Sequence, residues 1–159
     1  MTPAVAIRLA TSAEAPAIAE MSRTLIEHGL PWSWTPDRVR RAILAKDTNV
    51  AVVHDQSSLV AFGIMEYLDE DAYLVLFAVQ ATRQRQGIGA ALLKWLEAAA
   101  VAAGSSRIRV DARRDNEAAR NFYNEVGYHE SRIRPHGYGE YIDQIRLEKW
   151  LRSAQHGDA

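Results

Sequence analysis

The stretch Phe77-Ala78-Val79-Gln80-Ala81-Thr82-Arg83-Gln84-Arg85-Gln86-Gly87-Ile88-Gly89-Ala90-Ala91-Leu92 decides how this chain is read. It begins as an apolar strand, passes through a polar loop with two glycines, and runs straight into a helical pattern. Ile88, Leu92, Trp95, Leu96 and Ala99 recur at helical spacing, and Gly104 supplies a left-handed stop. A strand, a glycine loop and a helix start together present free backbone amides and the positive end of a helix dipole, a combination that binds a pyrophosphate. Gly87 and Gly89 let the main chain approach an anion with no Cβ in the way. The same glycines would also serve a plain tight turn. A P-loop is excluded, because Ala90, Ala91 and Leu92 stand where lysine and a hydroxyl residue are needed. A dinucleotide fingerprint is excluded by Leu92 itself.

Upstream, the pattern predicts a strand from Ala4 to Leu9. Thr11 and Glu14 have capping-box spacing for a helix to about His28, which Gly29-Leu30-Pro31 stops. Thr35-Pro36-Asp37 opens a second helix, with threonine as N-cap and proline at its first position, ending near Lys46. Three β-like runs follow, Val50 to His54, Leu59 to Tyr67 and Ala72 to Val79, separated by turn-forming residues. Downstream come a strand from Arg107 to Ala112, a helix from Asn116 to about Val126 ended by Gly127, and strands from Tyr128 to Ile133 and Tyr141 to Leu147. This order predicts an α/β (α+β) fold: one mixed, mostly antiparallel sheet with helices on both faces. A single domain is expected over 1–150, followed by a polar tail over 151–159.

Composition narrows the chemistry. The 159 residues carry 19 basic and 20 acidic groups, so no global field favours nucleic acid or an anionic membrane as partner. With no cysteine, disulfides, thiolate metal sites and a sulfur nucleophile are excluded. No apolar run approaches the roughly 20 residues that span a bilayer, and the start lacks a leader pattern, so a cytoplasmic location is expected. His28, His54, His129, His136 and His156 show no paired ligand spacing, and no metal is predicted. Arg107, Arg109, Arg113 and Arg114 read as the solvated face of a strand, or as a local contact to phosphates.

Gln84-x-x-Gly87-x-Gly89 resembles the coenzyme A signature of the GNAT (GCN5-related) N-acetyltransferases. Asn116-Glu117-Ala118-Ala119-Arg120-Asn121-Phe122-Tyr123 with Gly127-Tyr128 resembles that family's N-x-x-A-x-x-F-Y-x-x-x-G-F/Y segment. Taken alone, Ala119, Phe122, Tyr123 and Val126 are a helix's core stripe. The resemblance implies acetyl-CoA as co-substrate, with main-chain groups of Phe77, Ala78 and Val79 along the pantetheine arm, where the strand splays from its neighbour. It further implies that amides of Arg85, Gln86, Gly87, Ile88, Gly89 and Ala90 hold the pyrophosphate, and that the Asn116 side chain lies on the cofactor arm. The Tyr123 hydroxyl then stands beside the thiol as general acid, since a phenol of reference pKa about 10 stays protonated where a thiol of about 8.5 is leaving.

The general base is left between two carboxylates. Asp111, five residues before Asn116, lies where the bacterial ribosomal-protein-alanine N-acetyltransferases carry a catalytic glutamate, or it is a solvated residue at a strand end. Glu66 is its rival. Likeness to the same enzymes extends to His28-Gly29-Leu30-Pro31-Trp32-Ser33 and Leu68-Asp69-Glu70-Asp71-Ala72. Ile133-Arg134-Pro135-His136-Gly137-Tyr138 puts glycine where that family has a tyrosine. Trp32, Trp34, Tyr138 and Tyr141 would line an acceptor pocket or simply pack. The acceptor implied is a primary amine: a protein N-terminus, or a small molecule such as a polyamine, amino acid or antibiotic. A non-catalytic coenzyme A binding module is the further alternative, and the chain is expected as monomer or homodimer.

Overall fold

The computed structural model describes residues 5–135, 137 and 142–151. Among these, seven strands form one sheet in the order β1-β2-β3-β4-β5-β7-β6. The strands are β1 (Ala6–Leu9), β2 (Thr48–Asp55), β3 (Ser58–Tyr67), β4 (Asp71–Val79), β5 (Arg107–Arg113), β6 (His129–Arg134) and β7 (Gln144–Trp150). The helices are α1 (Ala15–Leu25), α2 (Pro36–Leu44), α3 (Ile88–Ala102) and α4 (Glu117–Glu125). β1/β2, β2/β3, β5/β7 and β6/β7 pair antiparallel, and β4/β5 pair in parallel. Every predicted element is present within a few residues of its expected bounds.

Contacts divide the chain into two compact units, Met1–Glu66 with Val75–Ala99, and Tyr67–Leu74 with Ala100–Ala159. In the first unit β3 is buried without a break from Val60 to Met65, and β2 from Val50 to Val53. Such runs, in place of alternation, mark strands covered on both sides. Phe62 and Ile64 pack in one cluster with Ile18, Met21 and Val39 of α1 and α2. Gly63, between them, faces the other way: a Cβ there would stand 2.7 Å from Leu96 Cδ1 of α3 and 3.3 Å from Phe77 Cδ2. Helices therefore cover both faces of this strand, as the sequence predicts.

Two helix ends differ from expectation for local reasons. The Thr11/Glu14 capping box forms, but it caps a 3-10 turn, Ser12–Glu14, that leads into α1. α1 then ends at Leu25, three residues before His28. The Ser22 carbonyl accepts from both Ile26 N (2.9 Å) and Glu27 N (2.8 Å), which closes the last turn before Gly29, at φ +80°, reverses the chain. α2 starts on Thr35, whose Oγ1 accepts from Arg38 N at 3.4 Å.

In the second unit β5 pairs with β7 along its whole length, from Arg107↔Trp150 to Arg113↔Gln144. The parallel ladder with β4 takes the first four of that strand's nine residues, Asp71↔Arg107 to Leu74↔Val110. β5 alternates strictly, with Ile108, Val110 and Ala112 buried. Arg107, Arg109, Asp111 and Arg113 consequently share the opposite face.

Gly63→Val should destabilise the protein by about 1–3 kcal/mol, because the branched side chain is forced against Leu96 in a filled core. Urea unfolding should show a lower midpoint with an unchanged slope; an unchanged midpoint would mean α3 does not close on β3 as described.

Candidate functional site

The glycine loop is held by its own side chains. Gln84 Nε2 donates back to the Val79 carbonyl at 3.1 Å, Arg83 Nε donates to Gln86 Oε1 at 2.9 Å, and Arg83 pairs with Asp55 at 2.9 Å. Arg85 and Gly87 take positive φ, +65° and +82°, and a Cβ on Gly87 would meet nothing within 4 Å. That bare, left-handed corner opens directly into α3. The helix's first i→i−4 bond is Ala91 N to Gly87 O, 3.0 Å, so the amides of Ile88, Gly89 and Ala90 precede any intrahelical acceptor. With the helix dipole behind them, these donors suit an anion. Phe77, Ala78 and Val79 end β4 just before this loop, Ala78 buried and its neighbours half-buried. Glu66, next to last in β3, is half-buried and makes no hydrogen bond or ion pair among the described residues.

In the second unit Asn116 is the N-cap of α4, its Oδ1 accepting from Ala119 N at 3.1 Å. Its side-chain amide donors make no hydrogen bond among the described residues. Tyr123 lies on the buried stripe of α4, 5% exposed, with Phe122 edge-on at 5.3 Å and Tyr128 at 5.6 Å between ring centres.

Asp111 is not a solvated residue at a strand end. It sits mid-strand with a side chain only 5% exposed. Arg146, its register partner on β7, donates from Nε to Oδ1 (3.0 Å) and from a terminal nitrogen to Oδ2 (3.1 Å). The Tyr73 hydroxyl of β4 also donates to Oδ2. The ion pair with Asp111 holds the Arg146 guanidinium above its ordinary pKa, more than burial lowers it. The arginines of β5 are corrected likewise, from a solvated face to a paired one. Arg107 binds Asp71 through two nitrogens (3.1 and 3.0 Å) and Glu148 through a third (3.3 Å), and lies 4.9 Å from the Trp150 ring. Arg107 hydrogen bonds, outweighing burial, keep the Asp71 carboxyl below the usual carboxylate range. Arg113 pairs with Asp115 at 3.2 Å and Arg114 with Asp143 at 3.0 Å. Tyr73, Arg146 and Glu148 were not visible as partners in the sequence; their odd/even spacing on β4 and β7 is a signal, but only the register joins it to β5.

Between α1 and α2 a buried carboxylate organises the loop. Glu27, 7% exposed, accepts from Ser22 Oγ (2.9 Å), Ser33 N (2.6 Å), Ser33 Oγ (2.8 Å) and Trp34 N (3.3 Å). Burial pushes its carboxyl up, but the Ser33, Ser22 and Trp34 donors together outweigh that and hold it below the ordinary 4.5. Trp34 is core, 6% exposed, with Arg38 stacked 3.9 Å above its ring. Trp32, 36% exposed and 4.9 Å from Arg23, remains on the surface. Tyr138, Tyr141 and His136 lie outside the described residues.

Residues 18–128 match the acetyltransferase (GNAT) family, and the chain belongs to it. One curated relative is the [ribosomal protein bS18]-alanine N-acetyltransferase of Escherichia coli (strain K12), 34% identical over 80 residues, 50% of this chain and 54% of that protein. The chain spans about half the length of the curated relatives it matches. Among solved structures, the ribosomal-protein-S18-alanine N-acetyltransferase from Escherichia coli has the same fold, with a TM-score of 0.78 and 23% identity over 93% of this chain and 94% of that one. Salmonella typhimurium yncA with its cofactor acetyl-CoA also matches, with a TM-score of 0.78 and 18% identity over 94% and 95%.

Because the folded pKa of Glu27 is depressed, its contribution is fully present above the unfolded value near 4.5 and is lost as pH falls through the folded one. Wild type should exceed Glu27→Gln in urea stability at pH 7, and the gap should shrink below pH 4. A gap that is constant from pH 7 to pH 3 would show that the charge of Glu27 contributes nothing.

Proposed function

We propose that residues 1–150 work as one cytoplasmic acetyltransferase domain, active as a monomer or homodimer. It passes an acetyl group from acetyl-CoA to a primary amine, the α-amine of a protein N-terminus being the preferred acceptor. The observation that carries this reading is the Gly87 corner: an open, left-handed turn feeding three unpaired amides at the head of a fifteen-residue helix. It fits a pyrophosphate, and it sits within the segment matched by the GNAT family. In this reading amides from Arg85 to Ala90 hold the diphosphate, main-chain groups of Phe77, Ala78 and Val79 and the free side-chain amide of Asn116 hold the arm, and no metal is involved. Acetyl-CoA, when bound, supplies an activated acyl carbon and a thiolate leaving group.

The chain's own residues then manage protons. The Tyr123 hydroxyl protonates the departing sulfur, and α4 packing fixes its ring. Asp111 takes the proton from the acceptor amine by way of Tyr73, whose hydroxyl already donates to Asp111 Oδ2. Arg146 occupies the rest of that carboxylate. Glu66, with no hydrogen bond or ion pair among the described residues, is the competing base. A second reading, a small-molecule acceptor, draws on Gly137. A Cβ there would stand 2.4 Å from Gln144 Cβ, so no tyrosine fits where the ribosomal-protein enzymes have one.

Acetyl-CoA should raise the melting temperature saturably, and Gly87→Val should remove the shift; no shift with the wild-type protein ends the assignment. Tyr123→Phe should lower kcat by about a hundredfold, the lower end of what a positioned acid contributes. An effect under about twofold would favour a non-catalytic coenzyme A module. Asp111→Asn should cost more than tenfold in kcat/KM and Glu66→Gln less than threefold, and the reverse order moves the base to Glu66. N-terminal peptides assayed beside polyamines and amino acids by thiol release decide the acceptor.

A further inference from the structure

On the outer face of β4, β5 and β7, Arg107, Arg109 and Arg146 lie against Asp71, Asp111 and Glu148. Two of the arginines are spent. Arg107 is hydrogen-bonded to Asp71 and Glu148, and Arg146 to Asp111. Arg109 differs. Its Nε lies 3.5 Å from Asp71 Oδ2 and 3.5 Å from Glu148 Oε2, too poorly aligned to bond either, and is buried without a hydrogen-bond partner. Its two terminal nitrogens make no hydrogen bond among the described residues either. The side chain is 31% exposed, so part of it reaches solvent although Nε is buried. A guanidinium held in place by two flanking carboxylates, with its forked pair of donors unfilled, is the arrangement that takes a planar two-oxygen acceptor.

Position gives this a chemical meaning. Arg109 is the register partner of Tyr73, whose hydroxyl reaches Asp111. Arg109 and Asp111 are two residues apart on one face of β5, a separation of about 6.7 Å along a strand. We propose that Arg109 reads a carboxylate on the acceptor, carried at that distance from the amine to be acylated: an acidic side chain next to a peptide's N-terminus, or the terminal carboxylate of a short peptide or amino acid. The acids already present do not compete for this role. Asp71, Asp111 and Glu148 Oε1 are hydrogen-bonded by Arg107, Arg146 and Tyr73, and the Arg109 ion pairs with Asp71 and Glu148 are recorded at its Nε, so an incoming carboxylate meets terminal donors that make no hydrogen bond among the described residues. The inference rests on the acetyl-transfer reading for what the acceptor is, but it concerns binding and can be measured without turnover.

The full chain, saturated with coenzyme A, is titrated calorimetrically with matched pairs: Ser-Glu against Ser-Gln at the start of C-terminally amidated peptides, and a free dipeptide against its amide. The carboxylate member of at least one pair should bind at least tenfold more tightly, and which pair responds distinguishes side chain from terminus. Arg109→Met should bring the ratio to about one, Arg109→Lys should restore part of it, and Arg132→Met, on the exposed strand β6, should leave it intact. Equal affinities within both pairs for the wild-type protein overturn the proposal, as does a preference that survives Arg109→Met; the wild-type ratio decides even if a variant fails to fold. Preferential binding of carboxylates with no acetyl transfer to any amine would sink the acetyltransferase reading and leave the Arg109 site standing.

Discussion

The first unit depends on one strand being covered twice. β3 buries six consecutive residues, which is possible only if neighbouring elements close on both faces, and the two faces solve the packing differently. Phe62 and Ile64 fill the space under α1 and α2, while Gly63 gives up its side chain so that Leu96 can reach the backbone. Removing water from two sides of a strand contributes about twice what a half-buried strand does per residue. It also leaves no room for adjustment. The start of α3 is therefore carried on a helix whose packing against β3 is fixed, and the orientation of its free amides follows from a core contact rather than from the loop alone.

The second unit is organised by charge on one face of its strands. Asp71, Asp111 and Glu148 are mostly withdrawn from solvent, between 5% and 21% exposed, and each lies against an arginine. Exposed pairs of this kind contribute little. Here partial burial raises the stakes in both directions: the pairs hold β4, β5 and β7 in register, and truncating one partner strands the other. Arg109, ion-paired at 3.5 Å to Asp71 and Glu148 but with no hydrogen bond among the described residues, stands out against its neighbours.

Much of this was legible in the sequence, and the failures share a cause. The element order, the left-handed glycines and the caps at Thr35 and Thr11 follow from local rules, and the structure agrees with them. α1 was read three residues too long because its end is set by a long-range carboxylate, Glu27, that reaches Ser33 and Trp34 across the loop. A solvated Asp111 and a solvated β5 arginine face stayed open as alternatives because a sequence shows alternation and not register. Nothing local says that Arg146 lies opposite Asp111 or that Tyr73 reaches it. Trp32 and Trp34 looked equivalent in the chain, and packing separates them into a surface ring and a core one.

In the proposed reading Arg146 and Tyr73 both occupy Asp111, and that bears on which amine the site would serve. At pH 7.5 an α-amine with a pKa near 8 is about one quarter neutral, whereas a lysine near 10.4 is neutral at roughly one part in a thousand. The difference, somewhat over a hundredfold in available nucleophile, is worth about 3 kcal/mol in a barrier that a lysine acceptor would have to recover from strong base catalysis or desolvation. With Arg146 and Tyr73 already hydrogen-bonded to Asp111, and with a partly exposed, heavily charged face around Arg109, the proposed site offers little of either. An acceptor that arrives already deprotonated needs only somewhere for its proton to go after attack, and a phenol whose hydrogen points at a carboxylate provides that. Under the proposed reading this face favours a low-pKa amine, for reasons that lie in how its charges are paired.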